Sequence, residues 1–236
     1  MSGRRRRTAD ELMAELEQNS DFVERQRQRM AEREENRRLY AEAAAGLLSD
    51  LEDAGFSVQT MTELSQRGVG DSRAVPVLVK WLPIVTYLPL KHDIIATLGS
   101  SWARPIAAHP LIEAFRRIDP AVDTAGMSLR WSIGDALERV ADESVLDDLI
   151  EIATDARHGA NRGLVVAALG NMGKARARVV PILLELLKDK DVAGYAVMGL
   201  GKLKAREARP ALEPFVDHPE PWVRKEAKKA LARLGS

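Results

Sequence analysis

Three leucines recur at one interval in the C-terminal part of the chain. Leu169, Leu200 and Leu231 occupy the stretches VAALGNMG, VMGLGKLK and KKALARLG, 31 residues apart each time. A fixed period of this length marks a stack of two-helix units, none able to bury its apolar stripe alone. Leu137 in SIGDALERV stands 32 residues before Leu169, and Leu98 in DIIATLGSS precedes it across the inserted connection RRIDPAVDTAG, which makes five units. Each leucine-bearing helix follows another apolar helix: VPVLVKWL, HPLIEAFRRI, VLDDLIEIA, VPILLELLKD and RPALEPFV. These first helices are expected to begin near proline, which lacks an N–H that a helix start would orphan anyway.

The glycines of AGYAVMGLGKLK and RGLVVAALGNMGK raise the possibility of a phosphate-binding loop. That loop needs glycine, four residues, then Gly-Lys-Ser/Thr. Counting from Lys202 gives Ala196 for the first glycine and Leu203 for the hydroxyl; from Lys174 it gives Ala168 and Ala175. Both stretches instead carry helical apolar spacing: Val192, Ala196, Leu200 and Leu203, then Val165, Leu169 and Met172.

Aromatic residues make up only 5% of the 236 residues, and a core of Ala, Leu and Val suits helix-on-helix packing. Lys+Arg and Asp+Glu are equal at 35 each, so no global field steers the chain to nucleic acid or an anionic membrane. With no cysteine, disulfides, thiolate nucleophiles and Cys-based metal sites are excluded. The basic start MSGRRRRTADELMAEL has no apolar segment behind it, and the most apolar window, Ala74 to Leu90, holds Lys80, Pro76, Pro83 and Pro89. A cytoplasmic protein without a membrane span is expected.

The pattern Pro-x-Leu-x-x-Leu-Leu, Asp, then Val-Arg-x-x-Ala-x-x-Ala-Leu-x-x-Leu-Gly, best seen in PALEPFVDHPEPWVRKEAKKALARLG from Pro210 to Gly235, resembles the HEAT-repeat family, including the short units found in bilin lyases. The similarity spans residues 72 to 236. It implies an all-α fold: a right-handed α-solenoid of about five HEAT-like hairpins behind an N-terminal helical extension, with residues 1–56 as the extension and 57–236 as the repeat domain. HEAT-like units also resemble one another in a turn Asp and an Arg opening the second helix. Asp123 and Arg130, Asp155 and Arg162, and Asp217 and Arg224 stand seven apart, and such pairs are expected to tie turns together. The fourth unit has Ala193 at the arginine position.

In the extension, Thr8 with Glu11, Asp21 with Glu24 and Thr60 with Glu63 are candidate capping boxes, and Gly55 a helix stop. Arg25, Arg27, Arg29, Arg33, Arg37 and Arg38 interleave with Glu24, Glu32, Glu34 and Glu35, which predicts pairing within a long helix rather than binding of an anionic polymer. Leu39, Ala43, Leu47 and Leu51 then form an apolar stripe expected to dock on the first unit.

No catalytic constellation emerges. His92, His109, His158 and His218 lack ligand spacing; Ser100 and Ser101 lack the glycines of a nucleophile elbow; Asp147, Asp148 and Glu151 read as a polar helix face. No catalytic, cofactor or metal site is expected. Certain DNA glycosylases also resemble a HEAT-like solenoid, and Trp81, Trp102, Trp131 and Trp222 with Asp93 or Asp135 could imitate their aromatic, acidic pocket; tryptophans buried in the helical core are the simpler reading.

In HEAT-like arrays the second helices line the concave side that receives a partner. The resemblance therefore puts Asp93, Asp135, Arg139, Asn171, Tyr195, Met198, Lys202, Lys229 and Arg233 on a candidate partner-binding row. Tyr195 and Met198 either meet a partner or contact the neighbouring unit. The expectation is a non-enzymatic scaffold or adaptor for a protein partner, with a toxin-neutralising immunity protein as one form of it. The alternative, nucleic-acid binding, would use Arg4 to Arg7 and the last helix with Arg224, Lys225, Lys228, Lys229 and Arg233; a terminal unit needs a polar outer face in any case.

Overall fold

The computed structural model describes residues 8, 19–66, 71–119, 123 and 128–235. The run Arg4 to Arg7 and Glu11 lie outside the described residues. Among those described there are twelve α-helices and no strand. The chain divides into two compact units, Met1–Ala45 and Gly46–Ser236.

Helix α1, Ser20–Asp53, supplies most of the first unit. Its cap is Asn19, whose Oδ1 accepts the Phe22 N–H at 3.1 Å, so the helix starts before the expected Asp21 box. Arg37 pairs with Glu34 and Arg38 with Glu35 along the exposed surface. The last two turns belong to the second unit, with Leu47 and Leu51 fully buried. Asp50 accepts the Trp81 indole N–H at 2.6 Å and the Lys80 ammonium at 2.7 Å. Gly55 ends the helix with φ +91° while the Phe56 N–H reaches back to the Leu51 carbonyl at 2.8 Å. Helix α2, Met61–Gln66, opens with the expected box: Thr60 Oγ1 accepts the Glu63 N–H and Glu63 accepts the Gln59 N–H.

Five helix pairs follow: α3 (Ala74–Trp81) with α4 (Leu88–Leu98), α5 (Ala108–Arg117) with α6 (Leu129–Val140), α7 (Leu146–Thr154) with α8 (Gly163–Leu169), α9 (Arg176–Leu186) with α10 (Ala193–Lys202), and α11 (Arg209–Leu212), continued as a 3-10 turn to Asp217, with α12 (Pro221–Arg233). The periodic leucines account for the stack. Leu98, Leu137, Leu169 and Leu200 are all 0% exposed, each contributing about 1.5–3 kcal/mol by burial. Leu231 is half-buried, because no unit follows it among the described residues.

Small residues let the second helices meet closely. A Cβ on Gly99 would fall 3.0 Å from the Ala136 Cα, one on Gly170 2.6 Å from the Gly199 Cα, and one on Gly201 2.7 Å from the Ala230 Cβ. Of the glycines that imitate a phosphate loop, Gly163, Gly170, Gly194, Gly199 and Gly201 are therefore points of close contact, whereas Gly173 is open. First helices are joined differently, by ion pairs. Arg116 of α5 reaches Asp148 and Glu151 of α7 at 2.7 and 2.5 Å, and Arg178 of α9 reaches Asp147 at 2.5 Å.

Two expectations change. Among the first helices proline opens α11, but α9 begins at Arg176 and carries Pro181 inside, so the first helices are not uniformly proline-initiated. The Asp–Arg pairs seven apart do not form. Arg130, 2% exposed, donates to the Phe115 and Ile118 carbonyls, and Arg224 to those of His218 and Pro219. The helical ladder leaves carbonyls at and just beyond a helix C-terminus short of donors, and the arginines donate to them. The turn aspartates bond locally: Asp123 accepts from Ser128 and Leu129, Asp155 from Arg157.

Candidate functional site

The second helices present aromatic residues at their N-terminal ends. Trp131 lies in the first turn of α6, which Ser128 caps by accepting the Trp131 N–H at 3.2 Å. Tyr195 lies in the first turn of α10, and Trp222 is the second residue of α12. Between Trp131 and Tyr195 runs α8, which begins with Gly163. A Cβ there would fall 2.4 Å from the Tyr195 ring, so the absent side chain is what lets the tyrosine lie across α8. Its centroid comes 5.7 Å from that of Trp131, nearly edge-on at 74°. The device repeats one unit on, where a Cβ on Gly194 would fall 2.3 Å from the Trp222 ring. Tyr195 and Trp222 are 5.0 Å apart between centroids. Three rings thus form one continuous row over four helices, the first pair edge-to-face as aromatic pairs prefer and the second tilted at 44°.

The row is open to solvent. Trp131 and Trp222 are each 40% exposed, whereas Tyr195 and Met198 are half-buried. Trp131 and Trp222 are not the core residues expected of them, whereas Trp81 and Trp102 are half-buried; the two exposed rings each pack against Tyr195 and remain partly in water. Tyr195 contacts the neighbouring units and belongs to the open row, and burial pushes its hydroxyl pKa up.

Toward the C-terminal ends of the same helices the surface is charged and internally bonded. Asp135 pairs with Arg139 at 2.6 Å, and Arg139 Nε donates to the Gly99 carbonyl at 3.0 Å. Asn171 donates to the Glu138 carbonyl at 2.6 Å. The Lys202 ammonium crosses α8 to the Glu138 carboxylate at 2.6 Å and the Ala167 carbonyl at 3.2 Å. Lys229 pairs with Glu226 at 2.6 Å, and Arg233 is exposed at the end of α12. Asp93 is half-buried on α4, where its carbonyl accepts the Thr97 hydroxyl at 2.7 Å. The structure therefore joins Asn171 and Lys202 through Glu138, pairs Asp135 with Arg139 separately on α6, sets Tyr195 and Met198 one turn apart, and leaves Lys229 and Arg233 on the last helix.

Trp131, Trp222 and Glu138 were absent from the candidate row. Gly163 and Gly194 carried a usable signal: they stand 31 residues apart, at the leucine period, each with a large ring in the next unit.

The histidines remain separate. His92 meets Ser132 at 2.8 Å, His109 lies 3.9 Å from Asp148, His158 lies 3.5 Å from Asp155, and His218 stacks on Phe215. Among the described residues no group of three or more His, Asp or Glu is placed to hold a metal ion, and no helix is long and apolar enough to cross a membrane.

Residues 180–236 match the family model for HEAT repeats. None of the curated proteins matches the chain. Among solved structures it is similar to the designed armadillo repeat protein YIII(Dq)4CqI, at 19% identity and a TM-score of 0.44, over 74% of this chain and 91% of that one. It is also similar to the designed armadillo repeat protein YIII(Dq.V1)4CPAF in complex with the peptide (KR)4, at 19% identity and a TM-score of 0.47, over 83% and 99%. HEAT repeats are thus matched in the last two units, and the pair of helices that makes each of them recurs from Ala74 onward, so the chain carries an all-helical repeat array whose C-terminal units are HEAT repeats.

Proposed function

We propose that this chain is a non-catalytic scaffold that binds a protein partner on the face of its second helices, anchored by Trp131, Tyr195 and Trp222. The exposed aromatic row carries this reading. Large apolar side chains left in water as a contiguous patch mark interaction surfaces, and Trp and Tyr supply most binding hot spots. Asp135, Arg139, Lys202, Lys229 and Arg233 form the polar rim of the same surface, and Met198 adds an adaptable apolar contact beside Tyr195. Since Asp135 and Arg139 pair with each other, and Lys202 and Lys229 with Glu138 and Glu226, these charges contribute orientation, and the rings contribute affinity.

Affinity capture with the full chain, followed by reconstitution with each captured protein, tests the proposal. Trp131→Ser with Trp222→Ser is expected to weaken a genuine partner by about thirtyfold or more. A photo-crosslinking residue at position 222 is expected to join that partner. Undiminished binding by a folded double variant overturns the reading. A captured toxin whose activity is suppressed would specify neutralisation, and a non-toxic partner would specify an adaptor.

A further inference from the structure

Neighbouring first helices are bridged by ion pairs from α5 to α7 and from α9 to α7. Between α3 and α5 no ion pair is formed among the described residues. A cavity of about 530 Å³ opens there instead, within the range of small-molecule pockets, about 300–1,000 Å³. Four helices line it at helical spacing: Val79 and Leu82 from α3 and the residue after it, Lys91 and Ile95 from α4, Pro110, Ala114 and Arg117 from α5, and Leu129 and Ile133 from α6. Leu82, Ile95 and Ile133 are 3%, 1% and 1% exposed and make an apolar floor.

The charges at this cavity do not cancel. Glu113 is engaged by Arg116 at 3.2 Å and faces Arg117 at 3.9 Å. Lys91 is half-buried, one turn from Ile95, and no acceptor meets its ammonium among the described residues. Burial pushes its pKa down, as expected for a cation partly removed from water without a counter-charge. Lys91, Arg117 and Glu113 together leave one positive charge beside an apolar floor. A dicarboxylate would add an unpaired charge, and a neutral hydrocarbon would leave Lys91 unsatisfied.

From this we propose that the α3–α6 cavity binds an amphipathic monocarboxylate, its acyl or aryl tail on Leu82, Ile95 and Ile133 and its carboxylate on Lys91 and Arg117. The site is independent of the aromatic row and of any protein partner.

Decanoate is the probe, titrated into the full chain by calorimetry below its micelle concentration, with decanol as the uncharged control. One-to-one binding is expected, with decanoate about tenfold or more tighter than decanol, since a hydrogen bond to a charged group is worth that much. Lys91→Met is expected to weaken decanoate about tenfold, Lys91→Arg to stay within about threefold, and Ala114→Phe to fill the cavity and abolish binding. Methyl resonances of Ile95 and Ile133 are expected to shift with saturation. Should Ala114→Phe fail to fold, the two Lys91 variants and the methyl shifts decide. The proposal is overturned by no saturable decanoate binding, by equal affinity for decanol, by indifference to Lys91→Met, or by shifts confined to other methyls.

Discussion

Arg162, 1% exposed, ties one unit to the next by donating from Nη2 to the Asp189 carboxylate at 2.5 Å. Its Nη1 donates to the Ala153 carbonyl at the end of α7, 2.7 Å away. One guanidinium thus closes the C-terminus of its own unit's first helix and grips the following turn. Burial pushes the Asp189 pKa up, but Arg162 and the Asp191 N–H outweigh it and hold the carboxyl below its ordinary value.

Removing this arginine leaves a buried carbonyl without its donor and a partly buried carboxylate without its counter-charge. Arg162→Met is expected to cost about 3–5 kcal/mol, because breaking a buried pair from one side strands the other. Arg162→Lys is expected to recover little, since an ammonium cannot span two acceptors as a planar fork does. Urea unfolding followed by circular dichroism measures both. A loss under 1 kcal/mol for Arg162→Met would show that Asp189 and Ala153 find water instead.

The stack was legible in the leucine period, because a repeat must return the same residue to the same packed site. Leu98, Leu137, Leu169 and Leu200 do so. The arginine partners were not. A seven-residue spacing puts Asp155 and Arg162 in one unit, but whether a guanidinium meets that carboxylate, a carbonyl or the next unit's Asp189 depends on the angle between helices. The exposure of Trp131 and Trp222 was hidden for a similar reason. Sequence alone makes a tryptophan apolar, and only the packing on Gly194 and beside Tyr195 leaves these two rings 40% exposed.

Two glycines three residues apart should respond oppositely to alanine. At Gly170 a Cβ would lie 2.6 Å from the Gly199 Cα and 2.9 Å from its carbonyl oxygen, and backbone cannot move aside locally. Gly170→Ala is expected to destabilise by about 1–3 kcal/mol. At Gly173 nothing lies within 4 Å, so Gly173→Ala is expected to stabilise by about 0.4–1 kcal/mol through the unfolded chain. Chemical denaturation of both variants checks the pair, and equal effects would contradict the close contact of α8 with α10.

His158 should make stability depend on pH in the mildly acidic range. Its ring packs edge-on to Phe115 with centroids 5.1 Å apart. Burial first, then the nearby Arg130, lower its pKa from 6.5, against a smaller opposing pull from Asp155, with Arg157 and Arg162 adding to the depression. The unfolded chain therefore takes up the proton first as pH falls. Stability from this group is full above 6.5 and declines as pH drops from there toward the folded value. Asp155, held far below its ordinary value by Arg157, acts in a lower window: its contribution is present above 3.8 and lost beneath it. His158→Gln is expected to flatten the thermal midpoint between pH 7 and 5 while leaving the loss at lower pH. An unchanged profile would place the titration elsewhere.

Lys202 and Glu138 should couple more strongly than an exposed pair of the same type. They lie 64 residues apart in sequence, with side chains 21% and 24% exposed, and the ammonium also meets the Ala167 carbonyl, so one bond spans α6, α8 and α10. Lys188 and Glu185 meet at the same 2.6 Å but are 73% and 72% exposed, three residues apart at the C-terminal end of α9. Water and salt screen the second pair almost fully, and its coupling is expected to be about 0.5 kcal/mol or less. Partial burial and the third helix should raise the first to about 1 kcal/mol or more. Double-mutant cycles with Lys→Met and Glu→Gln at each pair, at low and high salt, measure both. Equal couplings would mean that the bond across α8 adds nothing beyond proximity, and the polar end of the second-helix face would then be free to rearrange for a partner.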